Sequence, residues 1–221
     1  GLTNNNIPAT RIESASASGG LALRQGYMTV AGGFADIVVV GGAEKMTDVS
    51  DAKSAYTNSM GSDEQWESQV GATFPSLHAM IAQAHITENG TTREQLSAVA
   101  EKNHMHGAKN PNAQFPFPIK ANAVSNSSLV SSPLRMLDCA PNSDGGAAVI
   151  LCASERAKEF TEKPIKITGS GQASDTLSLH HRKDLGRMKA ISIAAKKALK
   201  QAGKTPKDLD LAEIHDNFTI T

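Results

Sequence analysis

Arg11-Ile-Glu-Ser-Ala-Ser-Ala-Ser-Gly-Gly20 is a run of small residues that feeds straight into a helical stretch, predicted by its spacing over about residues 17–31. A nucleophile in such a turn faces backbone N–H groups that lack an intrahelical partner, and the positive end of the helix dipole. Both favour negative charge on a side chain and on the oxygen of an attacked carbonyl. Ser16 holds that position. A small residue packing a tight turn would look the same in isolation, so the rest of the chain has to decide.

Outward from the turn, Leu23, Tyr27 and Val30 form one stripe of the helix, and Gly32-Gly33 supplies its stop. Asp36-Ile-Val-Val-Val-Gly41 reads as a strand buried on both faces. Helix followed by buried strand is the grammar of a layered α/β domain. Residues 46–75 read as polar and irregular and contain the only tryptophan, Trp66. Two helices are expected next, over 75–88 ending at Asn89-Gly90, and over 92–105 opened by a capping box between Thr91 and Glu94. A loop rich in Pro and Asn follows from Asn110 to Pro118, so that 46–132 reads as an insertion between core strands. Core-like sequence resumes at Pro133–Asp138 and in the turn and strand of 143–152, with a short helix near 154–160. Pro164 marks a boundary, after which a strand (165–171), a helix (187–202, stopped by Gly203) and a last strand (209–215) are expected.

The 221 residues suffice for one sizeable core or two smaller ones, and 39% hydrophobic with 20% charged residues is a globular composition. Lys plus Arg balances Asp plus Glu at 22 each, so neither nucleic acid nor an anionic membrane is an expected partner. Cys139 and Cys152 lie in apolar runs and read as buried free thiols, which fits a cytoplasmic protein. No apolar stretch approaches the roughly 20 residues that span a bilayer. The chain opens on Gly1 in what reads as the middle of a domain, so a fragment truncated at both ends is expected.

The remaining polar clusters have bland readings. His104 and His106 are two apart, not the three or four that share a helix face, so no metal site is expected there. His180-His181 lies in a polar loop and reads as solvated, and Lys196-Lys197 as a solvated helix face. Gly169-Ser-Gly-Gln-Ala-Ser174 has a G-x-G without the rest of a nucleotide fingerprint.

Three further segments bear on Ser16: Gly41-Gly-Ala-Glu-Lys-Met46, Ser132-Pro-Leu-Arg-Met-Leu-Asp-Cys-Ala-Pro-Asn-Ser-Asp-Gly-Gly146 and Glu213-Ile-His-Asp-Asn-Phe218. With the turn at 13–20 they resemble, in the same order, segments of thiolases, especially the archaeal and sterol-carrier-type branch. The resemblance implies a thiolase α/β fold of two similar layered halves with a helical insertion: residues 1–45 plus 133–163 in the first half, 46–132 in the insertion and 164–221 at the start of the second half. It implies acyl transfer from acetyl-CoA or acetoacetyl-CoA, with no covalent cofactor and no metal. By resemblance Ser16 stands where the acylated Cys is found, His215 where a His helps to stabilise a thioester oxyanion, and Asn217 where a Cys serves as acid and base. Ser170 and Ser174 are implied neighbours of bound coenzyme A. A homodimer or higher oligomer is implied as well. So are a hydroxymethylglutaryl-CoA synthase and a small zinc-containing scaffold protein as partners, in isoprenoid or other lipid metabolism.

Both departures change the chemistry. A thiol ionises near about 8.5, whereas a hydroxyl resembles water at about 15.7. A helix N-terminus contributes at most ~2 kcal/mol, or roughly 1.5 pKa units. Ser16 therefore needs a positioned general base, for which His215 is the visible candidate. Asn217 has no proton to exchange at ordinary pH, which removes the enolising group of a Claisen condensation. Two functions remain: an acyltransferase acylated at residue 16, or a thiolase-fold CoA-thioester binder or scaffold without condensing activity. Transfer to Ser16 with slow hydrolysis lies between them.

Overall fold

The computed structural model describes residues 6–221. In chain order they form α1 (Ser18–Ala31), β1 (Ile37–Glu44), α2 (Asp51–Ser59), α3 (Phe74–Asn89), α4 (Arg93–Gly107), α5 (Ala121–Asn126), β2 (Leu129–Ser131), β3 (Leu134–Arg135), β4 (Gly145–Cys152) and α6 (Lys189–Ala202). The chain divides into two units. The first runs to Lys45 and resumes over Asp144–Ser170, and the second is Met46–Ser143 with Gly171–Thr221.

In the first unit β1 and β4 pair antiparallel from Ile37↔Cys152 to Glu44↔Gly145. Helix α1 lies against one face of this ribbon so closely that a Cβ on Gly26 would stand 2.6 Å from Val40 Cγ2 and 3.0 Å from Leu151 Cδ1. The opposite face carries Val39 and Ile150, which are 69% and 67% exposed. The strand expected to be buried on both faces is therefore covered on one, because a single helix packs on a two-stranded ribbon. Lys45 and Asp144 close its end at 2.6 Å.

The second unit holds the core. Ala79 and Ala82 of α3 pack with Leu134 of β3 and with Phe218, while Leu77 and Ile81 pack with Leu179. Helix α3 ends as its sequence predicts, at Gly90 with φ 68°, and its start one residue before the expected 75 is set by Thr73, which accepts from Ser76 N–H. The capping box of α4 sits one residue later than expected. Thr92 and Gln95 form it, because the Thr91 hydroxyl is engaged with His85 Nδ1 at 2.8 Å. Residues 46–75 are more ordered than their polarity suggested. Ser50 caps α2, and Asp63 caps a π-helical turn at Glu64–Ser68, so the polar side chains that obscured these elements are what start them.

The stretches 165–171 and 209–215, expected as strands, are irregular. Neither has a ladder partner among the described residues, and an extended segment without one hydrogen-bonds to water instead. Ile165 is accordingly 95% exposed.

Asp138 ties the second unit together. Its side chain is fully buried, and its carboxylate meets Arg93 at 2.6 Å (Nη1) and 2.5 Å (Nη2). It also accepts from Arg135 N–H at 2.8 Å and from the Thr219 hydroxyl at 2.9 Å. Removing one partner of a buried pair strands the other charge, which costs about 3–5 kcal/mol, whereas an exposed pair contributes at most about 1 kcal/mol. In urea melts Asp138→Ala should therefore lose about 3–5 kcal/mol, and Lys45→Ala, whose side chain is 57% exposed, less than about 1 kcal/mol. Equal small losses would mean that the Asp138 carboxylate is not isolated from water.

Candidate active site

Ser16 lies exposed in a 3₁₀ turn, Ala15–Ala17, directly before α1. Ala15 enters that turn at φ 47°, a left-handed conformation that costs a residue with a Cβ of order 1–3 kcal/mol. Glu13 holds it there: its Oε1 accepts from Ala15 N–H at 2.8 Å and lies 3.0 Å from the Ser18 hydroxyl. That hydroxyl accepts from Ser14 N–H at 2.7 Å. The Ala15 N–H and then the Ser18 hydroxyl keep the Glu13 carboxyl below its usual pKa.

The N-cap of α1 is Ala17, which has no side chain to satisfy the leading N–H groups of the helix. A Cβ at Gly19 or Gly20 would meet no heavy atom within 4 Å, so approach to this helix start is open. Among the described residues of its own unit, Ser16 Oγ has no hydrogen-bond partner. The Ala15, Ala17 and Ser18 N–H groups are already taken by Glu13 and by the Ser14 and Ala15 carbonyls. The turn thus presents an exposed hydroxyl at a helix start that no side chain caps, and the positive end of the helix dipole favours a carbonyl oxygen there as it gains charge.

Of the candidate residues, Ser16 and Ser170 fall in the first unit and Ser174, His215 and Asn217 in the second. Ser170 is held from α1: Arg24 Nη1 donates to its carbonyl and to its hydroxyl, both at 3.0 Å. Arg24, which the sequence did not single out, fixes this stretch to the helix that follows Ser16. Ser174 is exposed and in no regular element.

His215 is exposed, Asp216 and Asn217 are half-buried, and Phe218 is in the core. The segment is held at several points. Asn103 Nδ2 of α4 donates to Asp216 Oδ2, and Ala140 N–H donates to the Asn217 carbonyl at 2.9 Å. Thr221 Oγ1 lies 3.3 Å from Asn217 Oδ1 and accepts from Phe218 N–H at 3.1 Å. His78 of α3 stacks on Phe218 with ring centroids 4.2 Å apart. Its Nδ1 lies 3.0 Å from the Phe74 carbonyl oxygen, which places a proton on that nitrogen. Burial first, and then the Arg182 charge, hold the His78 pKa below the ordinary imidazole value against that hydrogen bond. Asn103, His78 and Thr221 have no local sequence signal, because their partners are distant in the chain or lie in a turn without a recognised motif.

The two cysteines are free and half-buried. No group of three or more His, Cys, Asp or Glu side chains among the described residues could hold a metal ion. His180 and His181 are exposed, as their loop suggested, and each has a polar neighbour. His180 Nδ1 lies 3.5 Å from the buried Glu67 carboxylate and His181 Nδ1 lies 2.8 Å from the Ser178 hydroxyl.

Known proteins resemble this chain over most of its length. The family described as "Thiolase, N-terminal domain" matches residues 2–155, and "Thiolase C-terminal domain-like" matches 171–221. An acetyl-CoA acetyltransferase of Methanothermobacter thermautotrophicus is 53% identical over 97% of this chain and 55% of its own length. One from Methanocaldococcus jannaschii is 52% identical over 98% of this chain and 55% of its own length. The chain therefore spans about half the length of these relatives. A solved structure, the Ltp2-ChsH2(DUF35) aldolase, superimposes with a TM-score of 0.77 at 30% identity, covering 91% of this chain and 54% of that one.

Cys139, next to the buried Asp138, gives a pH test of the packing beneath the 215–218 segment. Burial first, and then the Asp138 charge, push its thiol up to about 11. At pH 8 iodoacetamide should alkylate Cys139 roughly two orders of magnitude more slowly in the folded chain than in urea, where a thiol ionises near about 8.5. Because the folded pKa is the higher one, this group costs no stability below about pH 8.5. Above it the unfolded chain binds fewer protons, and stability falls as pH rises toward 11. Equal alkylation rates in the two states would show the thiol to be solvated.

Proposed function

The chain belongs to the thiolase family, and on that footing we propose that the protein is a thiolase-type acyl-CoA acyltransferase that takes an acetyl group from acetyl-CoA or acetoacetyl-CoA onto Ser16. The carrying observation is the turn at 13–20, with an exposed hydroxyl before an uncapped helix start. In this reading the leading N–H groups of α1 receive the thioester oxygen. His215 supplies the base or the oxyanion partner, and Asn217 hydrogen-bonds to the acyl group without exchanging a proton. Ser170 and Ser174 neighbour the coenzyme A moiety. The domain assignment of the resemblance is part of the same reading: a first half of 1–45 plus 133–163, an insertion of 46–132 and a second half from 164.

A second reading is favoured by one residue. The Asn217 carboxamide does not titrate at ordinary pH, which supports a non-condensing CoA-thioester binder or scaffold subunit. We propose a homodimer or higher oligomer in the cytoplasm, in isoprenoid or other lipid metabolism, that meets a hydroxymethylglutaryl-CoA synthase and a small zinc-containing protein. A complex of that general kind has support in the solved aldolase, whose name couples Ltp2 with a DUF35 component. No helix among the described residues is long and apolar enough to cross a membrane.

The test is intact-protein mass after incubation with acetyl-CoA or acetoacetyl-CoA, with CoA release followed alongside. An acetyl adduct on the protein that is absent in Ser16→Ala supports the acyltransferase. An adduct on Ser16→Cys alone means a site disarmed at residue 16, and favours the binder or scaffold.

A further inference from the structure

Asp216 lies between the two candidate residues of the second unit, His215 and Asn217, and its carboxylate is not solvated on all sides. Asn103 Nδ2, near the C-terminal end of α4, donates to Asp216 Oδ2 across 113 positions of sequence. The neighbouring residues are held differently. Asn217 is tied by its carbonyl to Ala140 N–H, and Phe218 by its ring to His78 and by a backbone bridge to Cys139. Those contacts fix the segment from Asn217 onward. Before Asp216 the chain is exposed, with Ile214 at 65%. The Asn103 contact is therefore the side-chain hydrogen bond that restrains the peptide units on which His215 is carried.

We infer that Asn103 is the positioning residue of this segment: its amide holds the Asp216 carboxylate and thereby sets the direction of His215. An amide donating to a carboxylate makes a charge-assisted bond, stronger than the same donor would make to a neutral acceptor. A carboxamide also gives that bond without a charge of its own, so nothing is added to the electrostatics around His215. Helix α4 is a firm base for it. The helix starts with a capping box and is fastened near its first turn by the Arg93–Asp138 pair, so Asn103 projects from an element anchored on the core. The catalytic consequence rests on the reading of His215 and Asn217 given above, whereas the positioning itself does not.

The two are separated by pairing nuclear magnetic resonance of the His215 ring and the Asn217 side-chain amide with the acetyl-adduct assay. Asn103→Ala should shift or broaden the His215 signals while the Asn217 side-chain amide, held by Thr221, and the amides of Arg93–Ser97 keep their positions, and should slow adduct formation at least tenfold. Asn103→Asp keeps the shape and sets a carboxylate against Asp216. It should behave as Asn103→Ala at pH 7 and return toward the parent spectrum near pH 5, as the facing carboxyls come to share a proton. The parent and Asn103→Ala measured at both pH values supply the baseline from which the change specific to Asn103→Asp is read. If Asn103→Ala leaves the His215 signals in place, the positioning role is overturned; if those signals move while the adduct rate of the parent is kept, the positioning stands and the catalytic role given to His215 falls. If both variants move the signals as described but the parent itself forms no adduct, the positioning stands and the acyltransferase reading falls.

Discussion

Burying a carboxylate with no exposed surface is costly unless its lone pairs are filled, and Asp138 meets that condition by drawing three parts of the chain to one point. Arg93 comes from the start of α4, Arg135 from the β2–β3 hairpin, and Thr219 from the segment after the His215–Phe218 stretch. Thr219 N–H also donates to the Asp138 carbonyl at 3.0 Å. The order of these elements in space follows from this requirement. So does the placement of Phe218, the neighbour of Thr219, against Ala79, Ala82 and Leu134.

The turn at Ser16 is organised by the opposite logic. Nothing there is buried, and its shape comes from Glu13, which engages Ala15 N–H and the Ser18 hydroxyl while Ala15 holds a left-handed backbone. Strain of this kind persists only where its surroundings impose it. A hydroxyl in such a turn gains orientation and a favourable field, and the field of one helix end covers only a small part of the gap between an alcohol and a thiol. Under the function proposed above, acylation at Ser16 therefore depends on a base.

Helices with terminal signals could be read directly. Gly90 ends α3 at φ 68°, and Gly203 ends α6 at φ 66°. The family could be read from the turn at 13–20 and the 213–218 segment because order and spacing within short motifs survive without tertiary information. The Thr91 box failed by one residue because His85, six positions earlier, competes for that hydroxyl. The stretches 165–171 and 209–215 have strand-like composition, but pairing is a property of neighbours that composition does not contain. Asn103 was illegible for a related reason: a polar residue on a helix shows what it can bond, and not which of many distant acceptors it will meet.

The core contact of Phe218 with α3 has a consequence for biosynthesis. Ala79 and Ala82 leave the ribosome long before Phe218 and Ile220, which complete the apolar clusters around them. Until those late residues arrive, the inner face of α3 is uncovered and the Asp138 carboxylate lacks its Thr219 donor. Closing so long a loop costs only modest entropy, but it must wait for residue 218. The nascent second unit must therefore spend most of its synthesis with an open hydrophobic seam, a state in which a holding chaperone would find its substrate.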